Sequence, residues 1–191
     1  MAEKYMAEKY VVEKLESIRD ATTIADLAEV LMDCVEGGAS VSFMHPLSRD
    51  HAEKFWRGLA DDIATGRRIL LVAKDDGGAI IGTVQAVLDQ PDNQPHRADI
   101  AKMLVHRRAR RAGLGAALMR SIEAAAAAAG KTLLVLDTVT GGDAERLYTT
   151  LGWQRCGQIP DYALWPKGGL CSTTIFYKRI QVQPDSCVPL A

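Results

Sequence analysis

The spacing of apolar residues predicts two helices near the beginning of the chain. Over residues 20–35, apolar side chains recur every three or four positions, at Ile24, Leu27, Leu31 and Val35. Residues 48–66 show the same period, at Phe55, Leu59 and Ile63. Small polar residues stand where an N-cap belongs, and glycines follow where the helices should end. The candidate caps are Asp20, Thr22, Thr23 and Ser48, and the terminating glycines are Gly37, Gly38 and Gly66.

Short apolar runs bounded by turn-forming residues predict the strands. Residues 68–75 and 79–89 flank an Asp-Gly-Gly turn and should form a hairpin. The other predicted strands cover residues 10–17, 97–105, 132–138, 153–159 and 172–180. Helices alternate with strands in the second half, and no linker interrupts the sequence. We therefore expect one α/β domain over residues 11–180, preceded by a disordered repeat (MAEKY twice, residues 1–10) and followed by a flexible tail (181–191).

A long helix is predicted over residues 113–130, directly after a basic loop. Leu114, Leu118, Ile122 and Ala126 form its apolar stripe. Alanines fill much of the remaining surface, which allows the helix to pack closely on a sheet. A shorter helix is expected within residues 142–152, where a glycine ends the segment.

Composition narrows the classes of function. The net charge is −1 and 48% of the 191 residues are hydrophobic, which favours a globular protein without a global field for nucleic acid or membranes. No apolar run approaches the ~20 residues that span a bilayer, and no secretory signal is evident, so we expect a cytoplasmic protein. The cysteines lack C-x-x-C spacing, which argues against a metal site or a disulfide framework; they are Cys34, Cys156, Cys171 and Cys187.

The segment RARRAGLGAALM, residues 108–119, carries the strongest chemical signal. Gly113-x-Gly115 resembles the start of a dinucleotide-binding turn, and Asp137 follows where a ribose-binding acid belongs. Against this, Leu118 occupies the third glycine position, and residues 106–112 separate the strand from the glycines. A nucleic-acid site is the second interpretation, but no aromatic residues interleave with the basic ones. Those basic residues are Lys102, His106, Arg107, Arg108, Arg110 and Arg111, and a solvated arginine loop is the simplest alternative.

A strand, a basic loop and then R-x-x-G-x-G opening a helix resemble the acyl-CoA signature of the GNAT superfamily of N-acetyltransferases. The N–H groups of a helix N-terminus suit a pyrophosphate, and glycines let it approach. The resemblance implies that acetyl-CoA is held by Arg110, Arg111, Ala112, Gly113, Leu114, Gly115 and Ala116. Arg111 and Ala112 depart from the usual Gly and Lys/Arg, and Arg107 replaces a frequent proline.

A second stretch, LYTTLGWQRCGQIPDYA, resembles the other signature of this superfamily. Together with LVLDT and TTIFYK, it is also similar to the tabtoxin resistance proteins, which acetylate a small amino-acid toxin. The resemblance implies a mixed, mostly antiparallel sheet with a splayed strand pair, flanked by helices. It also implies that the backbone of Met103, Leu104 and Val105 pairs with the pantetheine arm of acetyl-CoA.

The implied reaction is direct attack of an amine on the acetyl thioester, through a tetrahedral intermediate. Tyr148 matches the family's proton donor to sulfur, and Tyr177 is expected to be structural. Asp99 and Asp137 are the candidate bases; the alternatives are an ion pair of Asp99 with Arg97 and helix capping by Asp137. We expect a primary amine of a small molecule as acceptor, with a protein, peptide or polyamine acceptor, or a non-catalytic CoA-binding module, as alternatives. A homodimer is a further expectation from the family.

Overall fold

A computed structural model of the chain describes residues 10–181. The predicted N-terminal repeat and C-terminal tail therefore lie almost wholly outside the described residues. The helices are α1 (Ala21–Glu36), α2 (Arg49–Arg57), α3 (Ala60–Ala64), α4 (Leu114–Ala128) and α5 (Asp143–Thr150). The strands are β1 (Tyr10–Leu15), β2 (Arg68–Asp75), β3 (Ile80–Val87), β4 (Arg97–Val105), β5 (Leu133–Val139), β6 (Gln154–Leu164) and β7 (Leu170–Arg179).

The strands form one sheet in the order β1-β2-β3-β4-β5-β7-β6. Every neighbouring pair is antiparallel except β4 and β5, which run parallel. This parallel pair is short: residues 97–99 pair with residues 133–135, and the strands then separate. The predicted mixed, mostly antiparallel sheet with helices around it is confirmed, and so is a splayed strand pair.

Helices cover both faces of the sheet. The predicted stripe of α4 is buried against one face, where Leu118, Ile122 and Ala126 are fully inaccessible to solvent. On the other face, α1 and α2 pack with Leu70 and Val72 of β2. The segment between α1 and α2 and the loop between β4 and α4 both line the open end of the gap between β4 and β5, so both layers contribute residues to it.

The predicted second helix differs from the structure, because residues 48–66 form two short helices. The N–H of Gly58 bonds to the carbonyl of Lys54, and the N–H of Leu59 then bonds to the carbonyl of Trp56 in a tighter turn that ends α2. The buried aromatic residue of α2 is then Trp56, whereas Phe55 is only partly buried. The cap assignments are resolved: Asp20 accepts a hydrogen bond from the N–H of Thr23, and Ser48 accepts one from His51.

The last strands are longer than predicted. Residues 161–164, expected to be loop, continue β6, since Ala163 and Leu164 pair with Cys171 and Leu170 of β7. The irregular register before Ala163 hides this strand from its alternation pattern. Within residues 10–181, no helix combines the length and apolar character needed to cross a membrane.

Candidate active site

A cavity of about 1110 Å³ opens where β4 and β5 separate. Residues 100–105 of β4 and 136–139 of β5 form its walls. The N-terminal turn of α4 lies at one side of the cavity. Residues 37–44, between α1 and α2, and residues 162–165, at the end of β6, also line it. Ser40 donates a hydrogen bond to the carbonyl of Leu164 (2.8 Å), so these last two segments are joined. The cavity is thus bounded by elements from distant parts of the chain.

The strand expected to meet pantetheine lines this cavity. Met103, Leu104 and Val105 are all among its wall residues. On one side, β4 is paired with β3, where Leu104 lies opposite Thr83 and Val105 lies opposite Gly82. On its other side, β4 has already separated from β5 before these residues. The carbonyl of Val105 already accepts a hydrogen bond from Arg110 Nε at 3.1 Å. The backbone of β4 beyond Asp99 is therefore turned toward the cavity without a β5 partner.

The glycine loop leads into α4 as a positively polarised N-terminus. Gly113 is the N-cap and has φ +77°, in the left-handed region that glycine tolerates. Leu114, Gly115 and Ala116 follow in the first turn, where backbone N–H groups lack helical partners, and all three line the cavity. A Cβ on Gly115 would lie 3.2 Å from Leu147 Cδ2, so this glycine also permits close packing on α5. Ala112 does not line the cavity.

The basic residues of the loop have different roles. Arg107 Nε binds Asp33 Oδ1 at 2.8 Å, and Arg108 binds Asp75 at 2.9 Å, so both anchor the loop to the rest of the fold. Arg110 and Arg111 line the cavity. The patch that suggested nucleic acid is therefore divided between ion pairs within the fold and three cavity residues, the third of which is Lys102. Asp33, near the end of α1, was not recognised from sequence because its partner is distant in the chain.

Arg111, which departs from the family's pattern, has an unusual backbone conformation. It has φ +63°, a left-handed conformation at the position where glycine is usual. A non-glycine residue pays about 1–2 kcal/mol for this conformation. At this position the loop thus has a left-handed conformation, which glycine adopts most easily, and the arginine adds a charge to the cavity wall.

Tyr148 lies on α5 and reaches the cavity from its buried side. Only 5% of the residue is exposed, and its ring packs against Trp153 and Phe176, with centroids 6.0 Å from each. Burial, and secondarily the negative charge of Asp137, raise the pKa of the Tyr148 phenol well above its usual value. The hydroxyl therefore stays protonated at neutral pH and is able to donate.

The two candidate carboxylates are in different places. Asp137 is exposed, lines the cavity and accepts a hydrogen bond from Thr173 Oγ1 at 2.9 Å. Asp99 is not a wall residue; it pairs with Arg97 Nη1 and accepts from Gln90 Nε2 at 3.2 Å. The structure thus places Asp137 with Tyr148 and the glycine loop, and places Asp99 in the ion pair that was its structural alternative.

Lys102 lines the cavity, although the sequence pattern indicated only that it belongs to the basic patch. Its neighbours are Ser42 and the rings of Phe43 and Phe55, not the arginines of the loop. A charged residue inside a strand expected to be buried was the available signal. No group of three or more metal-ligating side chains is found within residues 10–181.

Comparison with known proteins identifies the family. A model of the acetyltransferase (GNAT) family matches residues 26–153. An uncharacterized N-acetyltransferase of Azospirillum brasilense is 30% identical over 128 residues, which span 66% of this chain and 73% of that protein.

Solved structures share the fold at low identity. A ribosomal-protein-alanine N-acetyltransferase from Brucella melitensis has a TM-score of 0.72 and 16% identity, over 89% of this chain and 99% of that one. A phosphinothricin acetyltransferase from Sinorhizobium meliloti, in complex with acetyl-CoA, has a TM-score of 0.70 and 20% identity, over 94% of this chain and 92% of that one. The chain therefore belongs to the acetyltransferase (GNAT) family, enzymes that use acetyl-CoA as co-substrate.

Proposed function

We propose that this enzyme acetylates the primary amine of a small molecule by direct attack on acetyl-CoA. The observation that carries the proposal is that Tyr148, Asp137 and the glycine loop all face one cavity. The resemblance to tabtoxin resistance proteins, and the neighbour named as a phosphinothricin acetyltransferase, support an amino-acid-like toxin or antibiotic as acceptor. Detoxification is then the biological role.

Binding of acetyl-CoA is assigned to the loop and to β4. The N–H groups of Leu114, Gly115 and Ala116 point along the α4 axis toward the pyrophosphate, whose charge the helix dipole stabilises. Arg110 and Arg111 add charge-assisted hydrogen bonds to phosphate oxygens. Residues 103–105 pair with pantetheine amides, which brings the thioester to the point where β4 and β5 separate. The backbone N–H groups there polarise the thioester carbonyl.

The proton transfers are assigned to Asp137 and Tyr148. An alkyl ammonium has a pKa of about 10, so the acceptor must lose a proton before it attacks. Asp137 attracts the ammonium and accepts its proton, directly or through water, and its exposure lets the proton pass to solvent. Collapse of the tetrahedral intermediate breaks the C–S bond, and Tyr148 donates a hydrogen bond and a proton to the departing thiolate. The proton that the nitrogen releases as the amide forms returns to the Tyr148 oxygen through water.

A protein or peptide acceptor is the alternative. The Brucella melitensis neighbour is named for such an acceptor. In this chain, however, the link between Ser40 and Leu164, and a hydrogen bond from the N–H of His45 to the carbonyl of Pro166 (2.9 Å), hold the segments over the acceptor side together. This closure favours a small acceptor.

The expected homodimer remains a proposal. Strand β6 lies at the edge of the sheet and exposes several large apolar side chains, as a strand that pairs with a second copy would. They are Ile159, Tyr162 and Leu164. Of these, Tyr162 and Leu164 also line the cavity, so a dimer through β6 would affect the acceptor side.

Replacement of Gly113 by Asp is expected to abolish CoA binding, a loss of about 100-fold or more in affinity, because a carboxylate would stand at the anion site. Gly113→Asn introduces a side chain of similar size without the charge, so it should lose less affinity for CoA. Gly130→Asp is the matched control: Gly130 has φ +78°, against +77° at Gly113, but lies at the other end of α4. Calorimetric titration with CoA measures all three. Unchanged affinity in Gly113→Asp, with the fold intact, would remove the anion site from the loop.

Tyr148→Phe is expected to lower kcat by about 100-fold while acetyl-CoA binding changes little, because the phenol hydroxyl acts on the leaving sulfur. The control is Tyr177→Phe, which removes a hydroxyl that donates to Gln154 outside the cavity. Steady-state release of CoA and equilibrium titration give the two quantities. Equal turnover in Tyr148→Phe and wild type would exclude this residue from the chemistry.

Asp137→Asn and Asp99→Asn distinguish the two carboxylates. We expect Asp137→Asn to lower kcat at least about tenfold, since the ammonium loses its proton acceptor. Asp99→Asn should act mainly on stability, because it weakens the ion pair with Arg97. The kcat and the thermal midpoint of each variant are measured with one acceptor. The reverse pattern, with activity lost only in Asp99→Asn, would assign the base to Asp99.

A further inference from the structure

Lys102 stands at an irregular point of β4, inside the separated part of the strand pair. The β3–β4 register shifts between Thr83 and Gln85, and Lys102 has φ +48°, which is rare for a residue with a side chain. Its carbonyl accepts a hydrogen bond from Thr83 Oγ1 at 2.8 Å, which stabilises this conformation. A bulge of this kind redirects a side chain, and such strain concentrates at functional sites. Here it brings a lysine into a wall of apolar strand residues.

The ammonium of Lys102 has polar and aromatic neighbours but no acid. Nζ lies 3.3 Å from Ser42 Oγ, and 5.9 Å and 5.5 Å from the ring centroids of Phe43 and Phe55. Within residues 10–181, no carboxylate oxygen lies within 4.0 Å of it. Burial, then the like charge of Arg68, lower the pKa of Lys102, which Asp137 partly offsets. A partly desolvated cation beside open space is thus left without an anion.

The surroundings of Lys102 hold an excess of hydrogen-bond donors. Among the described residues, the buried side-chain polar atoms without a hydrogen-bond partner are Trp56 Nε1, Arg68 Nε and Gln85 Nε2, and all three are donors. They belong to one neighbourhood: Arg68 Nη1 binds Gln85 Oε1 at 2.7 Å, and the rings of Trp56 and Phe55 lie 5.1 Å apart. Gln85 pairs with Ala101, next to Lys102. These donors lie behind Lys102, outside the cavity wall, and they add no negative charge near its ammonium.

The cavity has its charges in separate places. Arg110 and Arg111 lie in the glycine loop, which leaves Lys102 as the cation on the acceptor side. Asp143, a second acid in the wall, is paired with Arg146, whereas Asp137 has, among the described residues, only the hydroxyl of Thr173 as its side-chain partner. The cavity thus contains an unneutralised carboxylate, Asp137, and an unneutralised ammonium, Lys102. This combination matches a ligand that carries both charges.

We propose that Lys102 binds the carboxylate of the acceptor, so that the substrate class is amino acids and their analogues with a free carboxylate. This rests on the proposed function and names its acceptor. The ammonium of the substrate faces Asp137, and the carboxylate faces Lys102 and accepts from its ammonium and from Ser42 Oγ. The rings of Phe43 and Phe55 shield this charged hydrogen bond from water, which strengthens it. Lys102 is thus the residue that selects acids over simple amines.

The test compares each of the twenty common amino acids with its carboxamide as acceptor. Wild type should show a kcat/KM about tenfold or more higher for the best acid than for its amide. In Lys102→Met this preference should vanish through a higher KM for the acid, with activity on the amide retained. Lys102→Arg should restore part of it, and Lys54→Met, an exposed lysine on α2, should match wild type. Equal loss with acids and amides in Lys102→Met would overturn the proposal.

A second readout separates this proposal from the proposed function. The same amino acids are titrated calorimetrically into the CoA complexes of wild type and Lys102→Met. Binding that needs Lys102, without any acetyl transfer, would leave the carboxylate site standing and reject the proposed transfer of acetyl to these amines. Equal acetyl transfer to amines with and without a carboxylate, in both wild type and Lys102→Met, would support the proposed function and reject the carboxylate site. Acetylation of Lys102 Nζ itself, found by mass spectrometry after incubation with acetyl-CoA alone, would reject a carboxylate-binding role.

Discussion

The short pairing between β4 and β5 is the constraint on which the site depends. Residues 97–99 and 133–135 hold the two strands together, and beyond them each strand keeps only its antiparallel neighbour. Because β3 supports β4 and β7 supports β5, the strands separate without losing their backbone partners on both sides. The sheet therefore contains a gap with rigid walls and unpaired backbone groups, a geometry that suits an extended amide-bearing arm such as pantetheine.

The end of that gap is fixed from several directions. Asp33 of α1 holds Arg107, and Asp75 of β2 holds Arg108, so the loop before α4 is attached to two other elements. Gly115 lets α4 pack against Leu147, the residue directly before Tyr148 on α5. The anion site and the proposed proton donor are therefore positioned by the same packing. In the proposed mechanism, binding of the CoA phosphates and protonation of the CoA sulfur both depend on the relative position of these two helices.

The parts of the site that lie close together in sequence could be predicted, and the parts assembled from distant segments could not. The glycine loop and the residues around Tyr148 are local patterns, because each is formed by a few consecutive residues. The ion pair of Asp99 with Arg97 is an alternative that the sequence offers, but only the three-dimensional structure shows that Gln90 joins it and that Asp137 lines the cavity. The charge of Lys102 within an apolar strand is a local signal, but the bulge opposite β3 that positions this side chain is not visible in the sequence of β4.

The central claim is that acetyl-CoA lies in the gap between β4 and β5, with its pyrophosphate at the N-terminus of α4. A crystal structure of the acetyl-CoA complex tests it most directly. The account predicts pyrophosphate oxygens about 3 Å from the backbone nitrogens of Leu114, Gly115 and Ala116, and the thioester sulfur within hydrogen-bond reach of the Tyr148 hydroxyl. A pyrophosphate bound elsewhere, or a thioester remote from Tyr148, would contradict it.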